Sequence, residues 1–361
     1  MRGTILKRGS GYSVVLDLGR GPDGKRVRRW HSGYRTKRDA ERARVELLAS
    51  VQGGTYVPPS QLTVGEFLTE QWLPSVRGQV KPSTFNWYAT TVRRHLVPGI
   101  GLVPLQKLTP PVLNALYGRL AEGGLGPTTV GHVHVTVGHA LGDATKWGLL
   151  ARNPAGLADP PRRARPTMRT WTAPELRRFL EHVRGERLYA LWLLAATTGM
   201  RRGEVLALAW PDVDLQARTA RVVQAKTPAG RRSVALDPAT VAALRAWRKR
   251  QLAERLQWGQ GWVDAGLVFT REDGSAVASR WLNAAFARHQ RAAGLPRIRF
   301  HDLRHTHATL GLAARVHPKT MSARLGHASV SITLDLYSHA IPALEEEAAA
   351  TVAALVLGGE S

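Results

Sequence analysis

The stretch HDLRHTHATL, residues 301–310, places His301, Arg304, His305 and His307 within seven positions. Imidazoles at this density suit a metal cage, an acid/base pair or a clamp for an anion, and the stretch alone leaves all three open. His301 and His305 stand at i and i+4, a usable pair for zinc on a helix. However, no HExxH motif is present, no carboxylate or cysteine stands at a ligand spacing, and an arginine lies between the histidines. No metal and no cofactor are therefore assigned. His301 and Arg304 are three apart, so on a helix they share one face and can converge on a single anionic group.

Three further stretches carry basic residues that could act with them. TTGMRRGEVLALAW, 197–210, reads as an apolar-faced helix with Arg201 and Arg202 at its start. Arginine near a helix N-terminus opposes the macrodipole, so another requirement must place it there. TARVVQAK–TPAG–RRSVAL, 219–236, reads as a β-hairpin with Lys226 at the end of its first strand. ARLGHASVSITLDLYSHA, 323–340, holds His327 and Tyr337 ten residues apart. Taken singly, Lys226 is a surface lysine and Tyr337 a core or surface tyrosine.

The chain that positions these residues has 51 Lys+Arg against 27 Asp+Glu, a formal net charge of +24. A field of that sign favours a polyanionic partner, nucleic acid first. An anionic membrane surface would want a lysine-rich amphipathic anchor or a long apolar span. The most apolar segment, ALWLLAA at 190–196, is too short to cross a bilayer and reads as a buried helix. The N-terminus MRGTILKRGS has no apolar core region or cleavage site, so no signal peptide is expected. The absence of cysteine leaves no disulfide framework and fits a cytoplasmic protein.

The pattern along the chain predicts a mainly α fold with small β-sheets (α+β) in three domains. Residues 1–55 form a small basic unit; its first 50 residues hold 13 Lys+Arg and 5 Asp+Glu, net +8. GYSVVLDL alternates as a strand, GRGPDG turns, and KRVRRWHS forms a second strand bearing Lys25, Arg26, Arg28 and Arg29. TKRDAERARVELLAS follows as a helix capped by Thr36, with Asp39 three residues on. Gly19-x-Gly21-x-x-Gly24 matches a dinucleotide fingerprint, but Pro22 and basic residues follow where a helix should open, so it is a hairpin turn. Residues 62–157 are helical, with a capping box at Thr63 and Glu66 and prolines opening LTPPVLNALYGRLAE. His132, His134 and His139 read as packing or surface residues. Residues 158–171 form a Pro/Arg linker containing Arg162 and Arg163. A second capping box, Thr172 with Glu175, opens the last domain, 172–361.

TGMRRGE, AKT…GRR, HDLRHTHATL, LGH and LDLYSH follow one another in the order and spacing of the tyrosine recombinases, or phage integrases, which this chain resembles. The resemblance covers the third domain, extends more loosely to the helical one as a core-DNA-binding domain, and makes residues 1–55 similar to an arm-type DNA-binding domain. It places the family's active set on Arg201, Lys226, His301, Arg304, His327 and Tyr337, with Tyr337 as nucleophile and Glu204 as a support for the arginine helix. One departure is Arg315, where the family usually has glycine; this bears on the shape of that turn.

What the resemblance implies is a site-specific recombinase that cleaves and rejoins DNA through a 3′-phosphotyrosyl link, without ATP, to integrate or excise a mobile element. Its partners would be double-stranded attachment sites, bound by a homotetramer, with a directionality factor or DNA-bending protein as accessories and no membrane. Lys25, Arg26, Arg28, Arg29, Arg162 and Arg163 are the expected DNA contacts outside the active set. The alternatives are a chromosome-dimer-resolving recombinase, a type IB topoisomerase, which has no reason to carry an arm-type domain, and a catalytically idle DNA-binding protein.

Overall fold

The computed structural model describes residues 2–20, 24–162, 168–223 and 231–327, together with 329–331, 334 and 353. The chain divides into two compact units, Met1–Arg165 and Pro166–Ser361.

Within the first unit are two separate apolar cores. The smaller belongs to a sheet of β1 (Arg2–Arg8), β2 (Gly11–Arg20) and β3 (Arg26–Tyr34), antiparallel in that order, with α1 (Lys37–Gln52) packed on one face. Val14 and Leu16 of β2 alternate onto that face and bury Ala40 of the helix. Thr36 caps α1 by accepting from the Asp39 amide at 3.1 Å. The sequence reading gave two strands here and the structure has three. β1 pairs along all seven of its residues, yet its alternation is weak because as an edge strand it is half-exposed and flanked by charge at both ends. The glycine-rich match ends in an antiparallel hairpin and not in a helix.

The second core is helical. Residues 64–76 wind continuously as α2, with Phe67–Trp72 in a wider π turn, and residues 82–100 as α3, with Val92–Leu96 likewise. Each wide turn precedes a proline, Pro74 or Pro98, whose ring would clash with the carbonyl four residues back in a regular helix. The capping box at Thr63 and Glu66 is formed in both directions, at 2.8 and 3.2 Å. α4 (Pro110–Glu122) and α5 (Pro127–Lys146) complete the bundle around the fully buried Trp72, whose indole donates to Asp143 at 3.0 Å. The three histidines of α5 meet aromatic rings: His132 is edge-on to Trp87, His134 hydrogen-bonds the Tyr117 hydroxyl at 3.0 Å, and His139 lies by Tyr88.

Pro166–Ser361 is built on a core where Trp171, Phe179, Trp192, Phe286 and Phe300 stack within 5.1–6.1 Å of one another in a chain of ring contacts. α6 (Ala173–His182) starts at the Thr172–Glu175 capping box and α7 (Tyr189–Thr198) is buried nearly all round, as its unbroken apolar run predicts. The helix read across 197–210 is instead broken. α7 stops at Gly199, which turns left-handed at φ +63°, and only Arg202–Leu206 (α8) winds again. A Cβ on Gly199 would lie 2.7 Å from Leu325 and 2.9 Å from His307, so tertiary crowding fixes this glycine.

β4 (Val213–Asp214), β5 (Thr219–Val222) and β6 (Arg232–Ala235) make a second antiparallel sheet. The hairpin read over 219–236 is present, but its first strand ends at Val222, and Lys226 lies outside the described residues. α9 (Pro238–Trp258), α10 (Ser279–Ala292), α11 (Asp302–Ala313) and α12 (Pro318–Leu325) complete the unit. The result is a mainly α fold with two small three-stranded sheets. No helix among the described residues is long and apolar enough to cross a membrane.

Candidate active site

Four of the six candidate residues come together, each delivered by a chain turn. Arg201 stands at the cap of α8, two residues after the left-handed Gly199. Its position is explained by Glu204, three residues on: the carboxylate accepts from the Arg201 amide at 2.9 Å and from its Nη1 at 2.8 Å, offsetting the unfavourable dipole. Nη2 of Arg201 reaches the Gly326 carbonyl at 3.3 Å, one residue before His327. Arg304, in the first turn of α11, is buried and donates from Nη1 to the Gly199 carbonyl at 2.9 Å. His301 is the residue before α11 and not within it; the Arg304 amide bonds its carbonyl at 3.1 Å, so the intended proximity survives through a tight turn. His327 follows the left-handed Gly326 that ends α12.

Electrostatics tie the four into one site. Burial pushes the His301 imidazole below its ordinary value, and Arg304 and Arg201 push it further. His327 is lowered to about 4, by burial first and then by Arg304 and Arg201. His305 also falls to about 4, mainly by burial, and stands edge-on to His301 with ring centres 5.2 Å apart. His307 is held elsewhere: Nδ1 lies 3.2 Å from the Ala196 carbonyl and Nε2 accepts from Arg324 at 3.2 Å, so its proton sits on Nδ1. Around pH 7 these imidazoles are therefore neutral beside the fixed guanidinium charges of Arg201 and Arg304. Among the described residues there is no cluster of His, Asp or Glu able to hold a metal.

Beside His301 opens a cleft of about 790 Å³ lined by Arg169, Arg201, Arg202, Arg297 and Arg299. Arg299 is committed in part to Asp302, at 2.7 Å. Sequence reading missed Arg169, Arg297 and Arg299, and it missed the buried Arg232, which it quoted in GRR without a role. The doubling of arginines in RIRFHDLR was the available signal. Arg315 takes the left-handed conformation usual for glycine, at φ +62°, and its amide bonds the Leu312 carbonyl at 2.9 Å, so the turn keeps its shape despite the side chain.

On the small sheet the pleat sorts the basic residues. Arg28 pairs across from Asp17 and Trp30 from Val15, on the face away from α1, whereas Arg29 pairs with Leu16 and falls on the helix side. Arg26 binds Asp17 at 2.9 Å, and Lys25, Arg28 and Arg29 are exposed. Trp30 is half exposed with the Arg8 guanidinium 5.8 Å from its ring centre, a surface pair the sequence reading did not single out. Arg162 is exposed; Arg163 and Tyr337 lie outside the described residues, as does most of the C-terminal tail.

The lowered histidines predict the response to acid. With folded values near 4 for His305, His307 and His327 against 6.5 when unfolded, the unfolded chain binds more protons between those limits. Stability that is present above pH 6.5 should therefore be lost as the pH falls towards 4. Urea midpoints of the DNA-free protein at pH 7 and pH 5 should show a clear fall, and His307→Gln should reduce the difference. A midpoint independent of pH would contradict the burial of these rings.

Three family models match the chain: the phage integrase family over residues 169–343, an arm DNA-binding domain over 4–51, and the N-terminal SAM-like domain of phage integrases over 63–121. A tyrosine recombinase XerC-like protein of Caldanaerobacter subterraneus subsp. tengcongensis is 28% identical, the match covering 94% of this chain and 95% of that one. An integrase of Saccharopolyspora erythraea is 26% identical over 96% and 95%. A solved lambda integrase tetramer bound to a Holliday junction shares the fold with a TM-score of 0.60 at 18% identity, covering 92% of this chain and 94% of that one. A cationic site of this kind with these relatives defines an enzyme that cleaves and rejoins DNA at specific sites. The chain belongs to the tyrosine recombinase, or phage integrase, family.

Proposed function

We propose that the protein integrates or excises a mobile element such as a prophage, with Arg201, His301, Arg304 and His327 holding the scissile phosphodiester. The observation that carries this reading is the pair of guanidiniums anchored on the Gly199 and Gly326 carbonyls, whose charge adds to burial in lowering the neutral imidazoles of His301 and His327 beside them. Paired arginine forks neutralise the charge that builds on the non-bridging oxygens during attack, the work that metal ions do in other nucleases. Tyr337 is the nucleophile: its oxygen bonds to phosphorus as the bond to the 5′-oxygen breaks. The tyrosine proton passes to His301, and Lys226 protonates the leaving oxygen. His301 is neutral and available as a base, and an arriving phosphate anion raises its weakened basicity. Attack of a 5′-hydroxyl on the 3′-phosphotyrosyl link reverses the step on a new strand, so no ATP is consumed.

Residues 172–361 would carry this chemistry as the catalytic domain. Residues 62–157 would grip the core site, the linker 158–171 would add phosphate contacts from Arg162 and Arg163, and residues 1–55 would read arm sites with Lys25, Arg26, Arg28 and Arg29. Exchange between two sites calls for four protomers on DNA, in the cytoplasm, with a directionality factor or DNA-bending protein as accessories. Resolution of chromosome dimers is the second reading, favoured by the name of the Caldanaerobacter relative; the arm-domain match over residues 4–51 favours integration.

The test uses a nicked suicide duplex bearing a core site selected by the full chain from random-sequence DNA. A covalent protein–DNA adduct should form on denaturing gels at an undiminished rate in excess EDTA. Loss of the adduct in EDTA with recovery on adding zinc or magnesium would refute the metal-free site.

A further inference from the structure

Arg232 opens β6, on the strand that returns from the segment carrying Lys226, and its side chain is only 7% exposed. Its Nη2 donates to Glu204 Oε2 at 2.9 Å and its Nη1 to Oε1 at 3.3 Å, while Nε donates to the Arg324 carbonyl at 2.6 Å. The same Glu204 carboxylate receives Arg201, and Arg201 in turn reaches the Gly326 carbonyl. Arg232, Glu204, Arg201 and the 324–326 turn thereby close into a ring. A Cβ on Gly326 would lie 2.9 Å from Arg232 Nη1, so the ring is also sterically tight.

Two cations share one buried carboxylate in this ring, leaving a net charge of +1. Without Arg232, Glu204 would pair with Arg201 alone, cancel its charge and draw it away from the anion site. A lysine in its place would keep the charge but has no planar fork to span both carboxylate oxygens and a carbonyl.

We propose that Arg232 is a positioning residue for strand cleavage: it holds Glu204 and the 324–327 turn so that Arg201 keeps its charge and its place beside His327. This rests on the reading that Arg201 binds the scissile phosphate, and the experiment separates the two. Single-turnover adduct formation is measured on the selected core duplex with a normal phosphate and with a methylphosphonate at the scissile position. The methylphosphonate lacks one non-bridging oxygen charge and so needs less cationic help.

Arg232→Gln should slow cleavage of the phosphate duplex by about 100-fold, the cost of a misplaced catalytic group, with DNA affinity changed by no more than a few-fold. Its loss on the methylphosphonate should be far smaller, and Arg232→Lys should recover part of the phosphate rate. The ratio of the two rates on one sample does not depend on how much protein is folded, and if Arg232→Gln does not fold, Arg232→Lys carries the same comparison. An unchanged ratio in the Arg232 variants, with a shifted ratio in Arg201→Ala, overturns the positioning role alone. An unchanged ratio in Arg201→Ala overturns the assignment of Arg201 and, with it, the role of Arg232.

Discussion

Tyr337→Phe should abolish the covalent protein–DNA adduct while leaving binding to the core duplex intact. The substitution removes one oxygen and keeps the ring. Loss of a single hydroxyl hydrogen bond would weaken packing or binding by only about 1 kcal/mol. Loss of a nucleophile, by contrast, lowers the rate on the order of 10⁴-fold or more, because the other groups of the site have nothing to activate. Denaturing gels with the suicide duplex measure the adduct and mobility shifts measure binding, on the same preparation. Arg304→Ala serves as the contrast: it should retain a slow reaction, down roughly 10²–10³-fold, the usual cost of removing one charged donor from a developing anion. An adduct formed at the native rate by the Phe variant would remove Tyr337 from the mechanism and turn attention to another hydroxyl near His301.

The features that could be read from the sequence are those whose causes are local. Both Thr–Glu capping boxes form as written, because their partners are three residues apart. The buried α7 follows from the unbroken apolar run ALWLLAA at 190–196. Arg201, His301, Arg304 and His327, which the fold brings together, stood out in the sequence because few residue types suit the anion site proposed for them. The features that could not be read depend on distant partners. The break at Gly199 is tied to partners far along the chain: a Cβ there would crowd Leu325 and His307, and its carbonyl accepts from Arg304, 105 positions away. Arg232 carried no role in the sequence, because the partners that give it one, Glu204 and the Arg324 carbonyl, lie 28 and 92 positions away. The edge strand β1 needs β2 beside it before its seven residues have any reason to extend. Even the wide turns before Pro74 and Pro98 are local in cause yet ambiguous in sequence, because a proline can equally end a helix.

Removing residues 1–55 should spare cleavage of isolated core sites and greatly reduce integrative recombination between full attachment sites. The small core of this part, Val14, Leu16 and Ala40 with a few half-buried neighbours, is separate from the apolar core of the helical bundle, so its loss leaves that core's own packing in place. What is lost is a surface. The sheet face away from α1 presents Arg28 and the Trp30–Arg8 pair, a combination able to enter a groove with the ring on base edges and guanidiniums on phosphates. A protein with two DNA readers gains affinity for paired sites through effective concentration, by 10²–10⁴-fold in general, and this gain disappears with one reader. Footprinting should therefore show protection lost at flanking sites and kept at the core. Arg28→Ala with Trp30→Ala in the full chain should reproduce most of the deletion, whereas Arg29→Ala, on the helix side of the pleat, should do less. Equal effects of Arg28 and Arg29 would mean that the basic segment acts as an unspecific cationic arm, and a truncated protein that recombines full sites as well as the intact one would leave residues 1–55 without a role as a second reader.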